Sequence, residues 1–189
     1  MALTTIDPTP ALVVIDLQKG IVSARTDSSV TAAVKQATDL ATEFRRHGLP
    51  VVLVNVTGRA PGRTETGRRS GRSAALPPGW ADLIDELDVQ PTDHLITKRR
   101  RSAFHDTGLD TLLRDLGVTQ VVLAGISTSS GVESTARSAS DYGYHVVLAT
   151  DAVTDPDADA HRHSVERVFP KLGETATAAE ITDMLETTR

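Results

Sequence analysis

Two hydrophobic rhythms alternate along the chain. Short apolar runs, ALVVID at residues 11–16, VVLVNV at 51–56, VVLAG at 121–125 and HVVLAT at 145–150, are long enough for strands and too short for ordinary helices. Their apolar residues are consecutive, so both faces of each strand are predicted to be buried. HLITK at 94–98 is predicted as a further strand. Between the first two runs the spacing changes. Val30, Ala33, Val34, Ala37, Leu40, Ala41 and Phe44 recur three and four apart, which predicts a helix over residues 29–47 with Gly48 as its stop. Shorter helices are predicted over 109–116, about 132–142, about 157–169 and 178–187. Strands alternating with helices imply an α/β fold, with helices on both faces of a mainly parallel sheet. No repeat and no domain boundary interrupts the pattern, so residues 1–189 are expected to form one domain.

One stretch has neither rhythm. GRAPGRTETGRRSGRSAALPPG, residues 58–79, is rich in Gly, Pro, Ser and Arg and reads as a long loop. Arg59, Arg63, Arg68, Arg69 and Arg72 give it the strongest charge concentration in the chain. Guanidinium forks match carboxylates, so it could clamp an acidic substrate. The plainer reading, a solvated loop or part of a subunit contact, is preferred.

Composition narrows the chemistry. The net charge of −5 speaks against bulk attraction to nucleic acid, and no aromatic residues interleave the basic loop. The chain has no cysteine, which removes disulfides, thiolate catalysis and thiolate metal sites. Aromatic residues are 3% of the total, so the core must be built from Val, Leu, Ile and Ala. No segment has the length of a membrane span, and MALTTIDPTP lacks the basic start and apolar run of a signal peptide. A cytoplasmic protein is expected.

The segment LAGISTSSGVESTARSASDYGYHVVLATDAV, residues 123–153, passes from strand through a polar turn into a helix and on to the next strand. Open α/β sheets place their chemistry at such strand-to-helix turns. Here the turn Ile126-Ser127-Thr128-Ser129-Ser130-Gly131 offers hydroxyls and backbone donors but no thiol.

Four pieces, VVIDLQ at 13–18, ITKRRRSAF at 96–104, VVLAGISTSSGVESTAR at 121–137 and VVLATDAVTD at 146–155, resemble the isochorismatase-like hydrolases in order and spacing over nearly the whole chain. The resemblance implies a three-layer α/β/α sandwich, Rossmann-like, with a six-stranded and mainly parallel sheet. Most members resemble amidases with an Asp, Lys and Cys triad. The Asp maps onto Asp16 and the Lys onto Lys98, while the Cys position is Gly131. Glycine there is shared with true isochorismatases, which cleave a vinyl ether by protonation and water attack without a covalent intermediate. They also share the TKxRxSAF pattern. The family further implies a cis peptide between Ile126 and Ser127, with the N–H groups of Ser127 and Gly131 turned to the substrate. Members commonly form dimers or higher homo-oligomers.

Each candidate has a plainer reading beside it. Asp16 ends a buried strand, where burial and a nearby lysine pull its proton affinity in opposite directions, as a general acid needs; it could instead cap the following turn. Lys98 opens the run KRRR and either faces inward to Asp16 or belongs to a solvated face. No role is assigned to Arg100. Ser127, Ser129 and Ser130 are substrate-facing groups or ordinary turn and cap residues. Ser129 or Ser130 as a replacement nucleophile lacks an identified base, and neither occupies the cysteine position. The zinc-binding members carry an Asp and two His after the second strand; here that region, NVTGRAPGR, has no His. His161 and His163 face different sides of a helix, and His47, His94, His105 and His145 are scattered. No metal and no cofactor is expected. The reading is a hydrolase of a small acidic metabolite, with Asp16 and Lys98 in catalysis and Ser127, Gly131 and Ser130 at the substrate. The alternatives are a silent relative that binds a metabolite or partner, and an amide or ester hydrolase using Ser129 or Ser130.

Overall fold

A computed structural model describes residues 3–25, 27–58, 62–65 and 76–188. Strands β1 (Pro10–Ile15), β2 (Val51–Val56), β3 (His94–Lys98), β4 (Gln120–Ile126), β5 (His145–Thr154) and β6 (Glu174–Ala176) form a six-stranded sheet in the order β3-β2-β1-β4-β5-β6. Neighbouring strands run parallel throughout. The helices are α1 (Lys19–Val22), α2 (Ser28–Arg46), α3 (Leu109–Asp115), α4 (Glu133–Asp141), α5 (Ala158–His163) and α6 (Ala178–Thr188).

Side-chain alternation sorts the strands into two cores. Leu12 and Val14 of β1 join Leu53, Val122 and Ala124 beneath α2, with Ile181 and Leu185 of α6. Ala11, Val13 and Ile15 face the other way, packing with Val52, Val54 and Leu123 against Leu109, Leu113, Ala136 and Ala139. The runs are apolar on every position because both faces are covered.

The predicted helix over residues 29–47 corresponds to α2, with Asp27 accepting the N–H of Val30 at its start. The helix expected over about 157–169 is broken. α5 ends at His163, a π-type turn spans Ser164–Val168, and a short 3₁₀ turn spans Phe169–Lys171. Pro170 has no N–H to continue the ladder. β5 extends four residues beyond its apolar run, past a register shift against β4 between Leu123 and Gly125. Three elements escaped the periodicity for want of length: α1, a 3₁₀ turn at Asp85–Leu87, and β6. Of the Arg-rich stretch, Arg63 is exposed, and Arg59, Arg68, Arg69 and Arg72 lie outside the described residues.

Candidate functional site

The strand order reverses at β1, which pairs with β2 on one side and β4 on the other. Such a switch point opens a crevice at the carboxyl ends of the two strands. Asp16 leaves β1 there, and the turn at residues 127–131 leaves β4.

Asp16 has a left-handed backbone, φ 54°, which aspartate tolerates better than most side chains. Its N–H donates to the Val54 carbonyl at 2.8 Å and its carbonyl accepts from Gln18 N–H at 2.9 Å. The residue is 5% exposed. Lys98, at the end of β3 and 2% exposed, crosses the end of β2 and donates from Nζ to Asp16 Oδ2 at 2.7 Å. A second Nζ bond reaches the Arg100 carbonyl at 3.2 Å. Oδ1 of Asp16 is buried with no hydrogen-bond partner among the described residues. Burial pushes the Asp16 carboxyl up to about 6, against the opposing pull of the Lys98 charge and its hydrogen bond.

The Ile126–Ser127 peptide is cis, as the family resemblance implied. Residues Thr128–Val132 wind as a π-type turn into α4. Gly131 is buried, and a β-carbon there would stand 3.0 Å from Ile15 Cγ2 and 3.3 Å from Asp16 Oδ2. The position that carries the thiol in the amidase pattern therefore points at the Asp16 carboxyl, and here the space is closed by Ile15 and Asp16. Ser127 and Ser130 are half-buried; Ser130 N–H donates to the Ser127 carbonyl at 3.1 Å. The Ser130 hydroxyl makes no hydrogen bond among the described residues, so no base is in contact with it. Ser129 is exposed, and its hydroxyl donates to Asp155 Oδ2 at 2.7 Å.

The loop after Lys98 is clamped onto α4. Ala103 N–H donates to Thr135 Oγ1 at 3.0 Å, Thr135 Oγ1 donates to the Gly131 carbonyl at 2.7 Å, and Ser102 bonds Ser138 at 2.8 Å. This gives the SAF part of the motif a physical role: it locks the Lys98 loop to the turn that holds Gly131. Gln18 is the residue that sequence reading passed over. Fully buried, its side chain accepts from Val56 N–H at 2.8 Å and donates to the carbonyls of Val56 at 3.2 Å and Trp80 at 3.1 Å. The signal was present in VVIDLQ, where a polar residue directly follows a buried strand.

Among the described residues, Glu43, His47 and Glu186 bring metal-ligand atoms within 4.8 Å of one another. They lie beside the end of α2, at the sheet edge opposite Asp16, and Arg46 already donates to both carboxylates. His161 and His163 share no such group; His161 instead contacts Thr128. No described helix is long and apolar enough to cross a membrane.

A family model described as the isochorismatase domain matches residues 10–180. The isochorismatase family protein YwoC of Bacillus subtilis is 37% identical over 180 residues, covering 93% of this chain and 94% of that one. The maleamate amidohydrolase of Pseudomonas putida is 29% identical over 184 residues, covering 93% and 86%. An isochorismatase family protein from Burkholderia thailandensis superposes with a TM-score of 0.87 at 39% identity, covering 96% of this chain and 98% of that structure. With this match along the length of the fold, the chain belongs to the isochorismatase family of hydrolases.

Proposed function

We propose that the chain hydrolyses a vinyl ether in a small acidic metabolite, by acid catalysis without a covalent intermediate. Asp16 is the general acid. The proton on its carboxyl passes to the terminal vinyl carbon, and the carbon bearing the ether oxygen becomes an oxocarbenium ion. Water adds to that carbon and returns a proton to Asp16. The hemiketal so formed collapses to a ketone and an alcohol, so one water is consumed and Asp16 is regenerated. Lys98 keeps Asp16 in place through Oδ2, and its ammonium carries a third donor toward a substrate carboxylate. Gly131 leaves a backbone wall where the amidase pattern has sulfur, and the N–H groups of Ser127 and Gly131 face the substrate. We also propose one hydrolase domain that assembles as a homodimer or larger homo-oligomer. Light scattering giving a strict monomer at micromolar concentration would count against that assembly.

The observation that carries the reading is the buried Asp16 carboxyl: Oδ1 has no partner among the described residues, Oδ2 lies 3.3 Å from where a β-carbon at Gly131 would stand, and the chain has no cysteine. A positioned acid typically contributes about 10²–10⁴-fold in rate. On one enol-ether substrate, Asp16→Asn removes turnover by about that factor with a smaller loss of binding, while Ser130→Ala changes little. If the serine change abolishes turnover and the Asp16 change is tolerated, the mechanism is wrong.

A second reading has one specific support. Named relatives include an amidohydrolase, and Ser129 stands in hydrogen-bond contact with the Asp155 carboxylate. A carboxylate is a weak base toward a serine hydroxyl, and Ser129 is not at the sulfur position. Screening amides and esters beside enol ethers separates the two.

A further inference from the structure

Two contacts tie the turn at residues 127–131 to the chain that continues from β5. Thr128 is fully buried, and its Oγ1 lies 2.9 Å from Nδ1 of His161 on α5. Ser129 gives its N–H at 2.8 Å and its hydroxyl at 2.7 Å to the same oxygen of Asp155. Both anchors are themselves held. The second oxygen of Asp155 accepts the N–H of Asp157 at 3.1 Å, and its carbonyl accepts from Arg25 Nη2 at 3.0 Å. Asp157 in turn caps α5, accepting from the N–H groups of Asp159 and Ala160. β4 separates β5 from β1 in the sheet, so these contacts grip the turn on its β5 side while Gly131 meets Asp16 on its β1 side.

We propose that Asp155 and His161 are positioning residues that hold the turn in register with Asp16. The proposal rests on the reading of Asp16 and the turn given above. A buried hydroxyl needs a partner, and within the turn that partner is an imidazole brought from another element. The bonds are short, and they join the turn that leaves β4 to the chain that leaves β5, so their loss lets the turn drift relative to Asp16. A displacement of about 1 Å at a reacting group costs on the order of a hundredfold in rate.

The test uses the full chain. Thr128→Val removes the hydroxyl and keeps the shape; His161→Ala removes its partner. Each is expected to lower kcat on an enol ether by about ten- to a hundredfold with KM little changed, and the double variant to be no worse than the stronger single. Thr128→Ser and His161→Asn, which keep a bonding atom, restore most of the rate. Asp155→Ala behaves like His161→Ala, whereas Ser129→Ala keeps turnover because its N–H still reaches Asp155. A second readout needs no turnover: the ¹H–¹⁵N signals of Ser127 and Gly131 shift or broaden in Thr128→Val, His161→Ala and Asp155→Ala. If the wild type cleaves no enol ether, the mechanism above fails while the amide signals still decide this proposal. Unmoved amide signals, or unchanged kcat per folded molecule with only a lower melting temperature, overturn it. So does complete loss of turnover in Ser129→Ala, which marks that hydroxyl as the nucleophile.

Discussion

Lys98 holds Asp16 by one oxygen: Nζ sits 2.7 Å from Oδ2, and Oδ1 stays buried without a partner among the described residues. A doubly satisfied carboxylate beside an ammonium would have its proton affinity driven down. With one oxygen bare, burial outweighs the lysine and the carboxyl is raised from 3.8 to about 6. That places its ionisation close to neutral pH, the range in which a general acid can both give and regain a proton.

The pH–rate profile distinguishes acid from base. An acid works from the protonated carboxyl, so turnover is full below about pH 6 and falls roughly tenfold per unit above it. A base works from the carboxylate and gives the mirror image, rising through the same pH. A rate that climbs above pH 6 on an enol ether would exclude Asp16 as the proton donor.

The same group sets a stability trend. Its folded pKa lies above its unfolded one, so the native state binds the proton more tightly. The resulting stability is fully present below pH 3.8 and lost as pH rises through about 6, a change of about 3 kcal/mol by linkage. Asp16→Asn removes this dependence, although it leaves Lys98 without its anion at a cost that is constant across the window. Urea unfolding of both proteins from pH 4 to 8 should show wild type losing stability relative to the variant as pH rises. A flat difference would mean that burial does not dominate at Asp16.

The sheet was legible because buried parallel strands must be apolar on both faces, and ALVVID, VVLVNV and VVLAG have no other stable use. β6 was not, because three residues, Glu174–Ala176, carry no period. Asp16 and Lys98 could be found from their strand-end positions and family resemblance, and the fold brings them together across 82 residues of chain. The contacts of Thr128 with His161 and of Ser129 with Asp155 were hidden for another reason. They join residues 33 and 26 positions apart across loops, where hydrogen-bond pairing leaves no pattern in the sequence.

Gly125 fixes how closely β4 can approach β1. Its φ is 115°, and a β-carbon there would fall 2.0 Å from the Ile15 carbonyl oxygen, the residue before Asp16. Gly125→Ala therefore combines overpacking with backbone strain and is expected to cost about 3 kcal/mol or more. Gly48→Ala is the matched control: φ is 66° and nothing lies within 4 Å, so only the left-handed conformation is penalised, about 1–2 kcal/mol. Comparable urea midpoints for the two variants would show that the β1–β4 approach is not the constraint.

Residue 131, where the amidase pattern has sulfur, is a glycine facing Asp16. A side chain at residue 131 starts 3.3 Å from Asp16 Oδ2 and 3.0 Å from Ile15 Cγ2, so it must address the carboxyl and crowd the strand end. Gly131→Ala is expected to lower enol-ether turnover and to cost about 1–3 kcal/mol of stability by overpacking. Gly131→Cys adds a thiol to a chain that has none, so every alkylation event reports on that one position. The Asp16 carboxyl is the group placed to take the thiol proton, and the thiolate is the reactive form. Iodoacetamide should label the variant once per chain, and adding Asp16→Asn should slow labelling roughly tenfold. Labelling at the same rate with and without Asp16 would mean that residue 131 does not face the carboxyl, and the proposed wall opposite the acid would fall with it.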